Sequence, residues 1–147
     1  MKKVIFVDFD DTLCLHRFNI YTDGRIFENI SDACEKFYNQ SELNKQLYNH
    51  LIDMQKNGYK IIMLSSACSK MLEIKRYWTE KNCPLVKFDD YIAVSIDIDK
   101  TKIMCEYAKY HKIDTSDLIF IDDNCMERKC ASEMGILTYS PQLIMNK

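Results

Sequence analysis

The stretch VIFVDFDDTL, residues 4–13, is an apolar run that ends on three aspartates in four positions, Asp8, Asp10 and Asp11. Val, Ile and Phe favour strand, and a run without polar alternation suits a strand covered on both faces, as in a parallel sheet. Carboxylates crowded at the end of such a strand repel one another and lose solvation. Their placement needs either a compensating cation or a chemical use.

Four more short apolar runs repeat the pattern: KIIML (60–64), YIAV (91–94), LIFI (118–121) and ILTY (136–139). Helical periodicity fills the gaps between them. Leu43, Leu47, Leu51 and Met54 mark one apolar face, with Ser41 as the expected N-cap and Gly58 closing the last turn. Met71, Ile74 and Trp78 mark a second face, and Ile103, Met104, Tyr107 and Ala108 a third. Met126, Cys130 and Met134, followed by Gly135, mark a fourth. All are read as core. Strands alternating with helices predict an α/β fold, a three-layer Rossmann-like parallel sheet of about five strands with helices on both faces. In FNIYTDGRIFEN (18–29), Asp23-Gly24 between β-prone segments predicts a short hairpin flap after the first strand, and residues 30–40 a short helix. The expected organisation is one domain over residues 1–147, with a small insert at about 14–41.

Composition narrows the function classes. The chain has 147 residues, 47% hydrophobic and 29% charged, which is ordinary globular composition. Its 20 basic and 22 acidic side chains nearly cancel, so no global field draws in nucleic acid or an anionic membrane. No apolar run approaches the roughly 20 residues of a membrane span, and the first residues reach charge too soon for a signal peptide. A cytoplasmic location is expected. Seven cysteines without a CxxC pair fit neither a disulfide framework nor a zinc site, and are read as reduced, buried thiols. Cys14, close to the acidic cluster, is a candidate reactive thiol without an evident base.

In an open parallel sheet, ligands gather at the carboxyl ends of the strands. Asp8, Asp10, Asp11 and Thr12 follow the first run, Ser65 and Ser66 the second, and Asp122, Asp123 and Asn124 the fourth. Lys100 and Lys102 stand at the head of the helix before that fourth run. Carboxylates from separate strand ends suit a hard divalent cation, above all Mg²⁺, which takes one or two carboxylates plus a substrate phosphate. A serine such as Ser65 donates to a phosphoryl oxygen, and a lysine stabilises the charge shared by phosphate and attacking carboxylate. A second carboxylate two residues on serves as general acid and then base.

Together these residues resemble the haloacid dehalogenase (HAD) superfamily of phosphohydrolases. DFDDT (8–12) matches its DxDx(T/V) motif, IIMLS places Ser65 as the strand-ending hydroxyl, and Lys100 precedes the acidic pair Asp122-Asp123, with Glu127 as a further acid. The resemblance spans residues 4–127. It implies Asp8 as nucleophile and metal ligand, and Asp10 as general acid/base that binds the metal through its backbone carbonyl. It also implies Asp123 as metal ligand, with Asp122 a further candidate, and Ser65 and a lysine at the phosphoryl group. Counting back from IFIDD favours Lys100, with Lys102 the alternative. The short gaps between motifs resemble the capless or minimally capped branch, with the flap at 18–29 as the only lid; such an open site suits a bulky or macromolecular phosphoester, or one closed by a second subunit of the same chain.

The remaining residues read more plainly. Asp11 is expected to be a turn residue and Thr12 a loop support. Ser66 is read as a helix start, and Asn124 either orients a metal ligand or simply belongs to its loop. His16 is expected to be exposed without a duty; His50 and His111 are read as ordinary helix residues. KRYWTEK (75–81) is read as the solvated side of a helix. The expected function is a Mg²⁺-dependent phosphatase working through a phosphoaspartate on a phosphorylated substrate, with no membrane partner and nucleic acid only as substrate. The alternatives are a receiver-like phosphoacceptor domain, with Asp97 and Asp99 after the third run, and a catalytically idle binding protein on the same scaffold.

Overall fold

The β-branched and aromatic runs pair as strands and the periodic segments between them coil. The computed structural model describes residues 3–16, 38 and 41–142. In chain order the elements are β1 (Val4–Val7), β2 (Cys14–Leu15), β3 (Glu42–Leu43), α1 (Lys45–Lys56), β4 (Lys60–Ser66), α2 (Ser69–Asn82) and β5 (Asp90–Val94). There follow α3 (Lys100–His111), a 3-10 turn (Thr115–Asp117), β6 (Leu118–Ile121), α4 (Cys125–Glu133) and β7 (Leu137–Tyr139). The expected hairpin at 18–29 lies outside the described residues, as does the expected helix at 30–40 apart from Tyr38.

Five strands form a parallel sheet in the order β5-β4-β1-β6-β7. β1 is central, with Phe6 opposite both Ile62 and Phe120. The chain leaves β1 toward β4 and β5, then returns to add β6 and β7 on the other side. That reversal opens a crevice at the carboxyl ends of the central strands.

Strand alternation divides the core in two. Ile5, Val7, Ile61 and Met63 pack with Leu47 and Leu51 of α1 and Trp78 of α2. Val4, Phe6, Ile62 and Phe120 pack with Met104 and Ala108 of α3 and Ala131 of α4. All four residues of β1 are fully buried, each large side chain contributing roughly 1.5–3 kcal/mol of hydrophobic burial. This is the expected three-layer α/β architecture. Gly58 and Gly135 follow α1 and α4 with φ of +92° and +83°, a left-handed conformation that terminates a helix and strains other residues.

Three local expectations differ from the fold. The N-cap of α1 is Asn44, not Ser41; its Oδ1 accepts from the Leu47 N–H, and Leu43 belongs to β3. Met126 and Met134 of the fourth apolar face are exposed and Cys130 is half-buried, because α4 seats the small Ala131 against the sheet. The run 75–81 is split: Arg76 and Glu80 pair at 3.0 Å in solvent, while Lys75, Trp78 and Thr79 are buried. No helix among the described residues is long and apolar enough to cross a membrane.

β2 and β3 pair antiparallel, Cys14 with Leu43 and Leu15 with Glu42, and so join the two ends of the insert. Asn44 locks this neck to the first strand's loop. Its N–H donates to the Leu13 carbonyl at 2.9 Å and its Nδ2 to the Thr12 carbonyl at 2.9 Å. Asn44→Ala removes a buried cap and leaves the Thr12 carbonyl without that donor, so a loss of about 2 kcal/mol is expected. Urea unfolding with an unchanged slope measures it.

Candidate active site

The loop after β1 turns sharply because Asp11 adopts φ +56°, tolerable for Asp, with its N–H donating to the Cys14 carbonyl at 2.8 Å. Asp11 is thus a turn residue, as expected. The turn leaves Asp8 on the central strand end and sends Asp10 toward α2 and the insert.

Asp8 meets Asp122 and Asp123 across the β1–β6 pair. One carboxylate oxygen from each of the three lies within 4.8 Å of the others. Lys100, the first residue of α3, bridges two of them, its Nζ donating to Asp8 Oδ1 at 2.9 Å and to Asp122 Oδ2 at 2.8 Å. A lysine at a helix amino terminus opposes the helix dipole; these two carboxylates hold it there, buried. Lys102, two residues on, is exposed. Thr12 is fully buried, its hydroxyl 3.1 Å from Asp8 Oδ2 and 3.3 Å from Asp123 Oδ1 while accepting from the Asp123 N–H at 3.2 Å. It therefore joins the first and last motif through its side chain and does more than support its own loop.

Burial raises Asp8, against the lowering pull of Lys100 and with a further push from Asp122, to about 6. Burial and then Asp8 raise Asp123 likewise to about 6, and burial raises Asp122 against Lys100. Burial lowers Lys100, but Asp8 and Asp122 outweigh it and hold the ammonium charged. Hard oxygen donors this close, whose ionised forms burial and mutual repulsion disfavour, fit a divalent cation. Asn124 caps α4, accepting from the Met126 and Glu127 N–H groups, and its own N–H donates to Asp122 Oδ1 at 2.8 Å. Glu127 lies on α4 with its Oε2 buried and without a hydrogen-bond partner among the described residues.

Asp10 faces a different set of partners. His16 Nε2 lies 2.7 Å from its Oδ1, the Tyr38 hydroxyl donates to the same oxygen at 2.8 Å, and Lys75 Nζ donates to Oδ2 at 2.7 Å. Burial works to raise Asp10, but the His16 bond, the Lys75 charge and bond and the Tyr38 bond together hold it down at about 2. Lys75, 0% exposed, also donates to Ser65 Oγ at 2.6 Å. Ser65 is itself fully buried at the end of β4 beside β1.

Sequence reasoning missed three of these side chains. His16 is largely buried against Asp10 instead of exposed, because the β2–β3 neck folds it back. Tyr38 lies in the insert, where nothing local marked it. Lys75 was hidden in a charge run, although its spacing of four from Met71 and three from Trp78 puts it on the apolar stripe. Ser66 ends β4 instead of starting a helix, and Cys68 occupies the N-cap of α2. Cys14 is buried, which pushes its thiol far above the ordinary range and removes it as a nucleophile. Six cysteines are free among the described residues.

A carboxylate raised on folding contributes stability that is present below its unfolded value of 3.8 and lost as pH rises through about 6, the case of Asp8 and Asp123. Asp10, lowered to about 2, runs oppositely: its contribution is present above 3.8 and lost as pH falls through about 2. A cation held by Asp8 and Asp123 relieves the first loss. Magnesium is therefore expected to raise Tm more at about pH 7.5 than at about pH 5 in thermal melts. An equal increment at both pH values counts against that cation site.

No family model matches the sequence, and no curated protein matches it. Solved structures do. The HAD family enzyme BT-2542 from Bacteroides thetaiotaomicron, in complex with magnesium and inorganic phosphate, superposes with a TM-score of 0.63 at 18% identity, over 95% of this chain and 94% of that one. The D,D-heptose 1,7-bisphosphate phosphatase from Burkholderia thailandensis gives 0.59 at 12% identity, over 92% and 75%. The amino-terminal part of BF1531 from Bacteroides fragilis, containing a phosphatase domain complexed with Mg, gives 0.63 at 18% identity, over 94% and 35%. The chain therefore has the fold of the HAD family enzymes.

Proposed function

We propose that this protein is a Mg²⁺-dependent phosphomonoester hydrolase working through a phosphoaspartate on Asp8, on one domain with an insert at about residues 14–41. The observation that carries the reading is the buried Lys100 ammonium bonded at once to Asp8 and Asp122, with Asp123 alongside. Asp8, Asp123 and the Asp10 carbonyl would hold the cation, with Asp122 adjoining. When bound, it supplies charge stabilisation for the transferring phosphoryl group. The HAD fold shared with a magnesium–phosphate complex supports the same reading.

In the first step Asp8 attacks phosphorus, its oxygen forming the new P–O bond as the ester P–O bond breaks. Lys100 and Ser65 stand beside the phosphoryl group, and Asp10 gives its proton to the leaving oxygen. In the second step Asp10 takes a proton from water, which attacks phosphorus, releases inorganic phosphate and restores Asp8. Asp10 in its present setting is a carboxylate, the form the second step requires. For the first it takes up a proton, and His16 Nε2, Tyr38 Oη and Lys75 Nζ are the proton-bearing groups in contact with it.

A receiver-like domain fits less well. The third strand of the parallel sheet in chain order, β5, lies at its edge, and Asp97 and Asp99 after it are exposed. An idle binding protein has no use for Asp10 gripped beside the phosphoryl site. The neighbours that are phosphatases support a small or polymeric phosphomonoester; a panel of nucleotides, nucleic-acid 3′-phosphates, sugar phosphates and phosphopeptides assigns its class. Asp8→Asn is expected to lower aryl phosphate turnover with magnesium by about 10⁴-fold or more. Wild-type rates in that variant overturn the nucleophile, and acid-stable label trapped on wild type but not the variant supports it.

A further inference from the structure

Lys75 lies within the core layer of α2, on the stripe that carries Ile74 and Trp78, where packing alone favours an apolar side chain. A fully buried ammonium costs several kcal/mol in desolvation unless its partners are well placed. Its three protons have three acceptors: Asp10 Oδ2 at 2.7 Å, Ser65 Oγ at 2.6 Å and the Ser66 carbonyl at 3.4 Å. The Phe9 ring lies 5.6 Å from the same nitrogen.

The contact with Ser65 has a directional consequence. Because Ser65 Oγ accepts from Lys75, its own proton is turned away from Lys75 and is available to a second acceptor. One ammonium thus fixes both the hydroxyl beside the phosphoryl group and the carboxylate that handles the leaving-group proton. We propose that Lys75 is a positioning residue that aims the Ser65 hydroxyl at the phosphoryl group and holds Asp10 in register with it. The proposal rests on the phosphohydrolase reading of the site.

Lys75→Met nearly keeps the volume of the side chain, shortens it by one atom and removes all three donors. It is expected to fold with a Tm below that of wild type, since removing one partner of a buried pair leaves Asp10 with only His16 and Tyr38 to compensate it. With magnesium, its kcat on an aryl phosphate should fall about 100-fold, and its affinity for inorganic phosphate, read by calorimetry, about tenfold. In the Ser65→Ala background the loss of phosphate affinity on adding Lys75→Met should shrink to within about twofold, because the hydroxyl it aims is gone. A purely structural lysine gives the same loss in both backgrounds, and that result, or a Lys75→Met enzyme with wild-type kcat, overturns the proposal. Should Lys75→Met not fold, Lys75→Arg carries the test. It keeps the charge but its planar head cannot keep the same three bonds, so about a tenfold loss of kcat supports the proposal and a wild-type kcat overturns it. Wild type that neither hydrolyses aryl phosphates nor binds phosphate instead removes the phosphohydrolase reading itself.

Discussion

The bond pair from Lys100 to Asp8 and Asp122 is the constraint on which the site depends. It spans three elements, the end of β1, the end of β6 and the start of α3. Removing the ammonium would leave two buried carboxylates facing each other, a more costly arrangement than the paired one. The parallel register of β1 with β6 fixes the two acids side by side, and the Asp8 N–H continues that register by donating to the Ile121 carbonyl at 2.9 Å. The electrostatics of the site thus rest on backbone ladder geometry, which a change of side chain cannot easily shift.

Around this bridge the short DFDDT segment distributes its side chains. Asp8 faces Lys100, Asp10 faces Lys75, and Thr12 reaches Asp123, while Asp11 supplies the turn that makes those directions possible. Asp8 and Asp10 therefore do not compete for one lysine. Asp8 and Asp10, the two given roles in the proposed reaction, each have their own lysine, delivered from helices on opposite faces of the sheet, α3 and α2.

The strands were legible because uninterrupted apolar runs are a local signal, and the acidic clusters at their ends because strand ends converge in a parallel sheet. Choosing between Lys100 and Lys102 needed three dimensions. Two residues along a helix rotate a side chain by about 200°, which turns Lys102 to solvent. Lys75 shows the opposite failure, since charge outweighed a periodicity that already marked it as inward. Met126 and Met134 were misread because hydrophobicity suggests burial, whereas a short helix close to the sheet needs a small residue, Ala131, at the contact. Tyr38 had no signal at all: its bond to Asp10 crosses 28 positions of chain.

The question posed by the crowded aspartates has an electrostatic answer. Asp8, Asp10, Asp122 and Asp123 carry four negative charges when ionised, and Lys75 and Lys100 return two. The remaining two sit on the Asp8–Asp122–Asp123 side, where the ligand oxygens converge and where burial raises each of the three carboxyls. Asp10, fully compensated by its donors, is instead held low. Excess charge is thus confined to the place where a divalent cation has oxygen ligands to meet, and kept from Asp10, the carboxylate assigned the proton transfers in the proposed reaction. Tyr38 reinforces that separation from the other direction. Its hydroxyl binds Asp10 while its carbonyl accepts from Trp78 Nε1–H at 2.9 Å, so α2 secures the Asp10 carboxylate through both Lys75 and Tyr38.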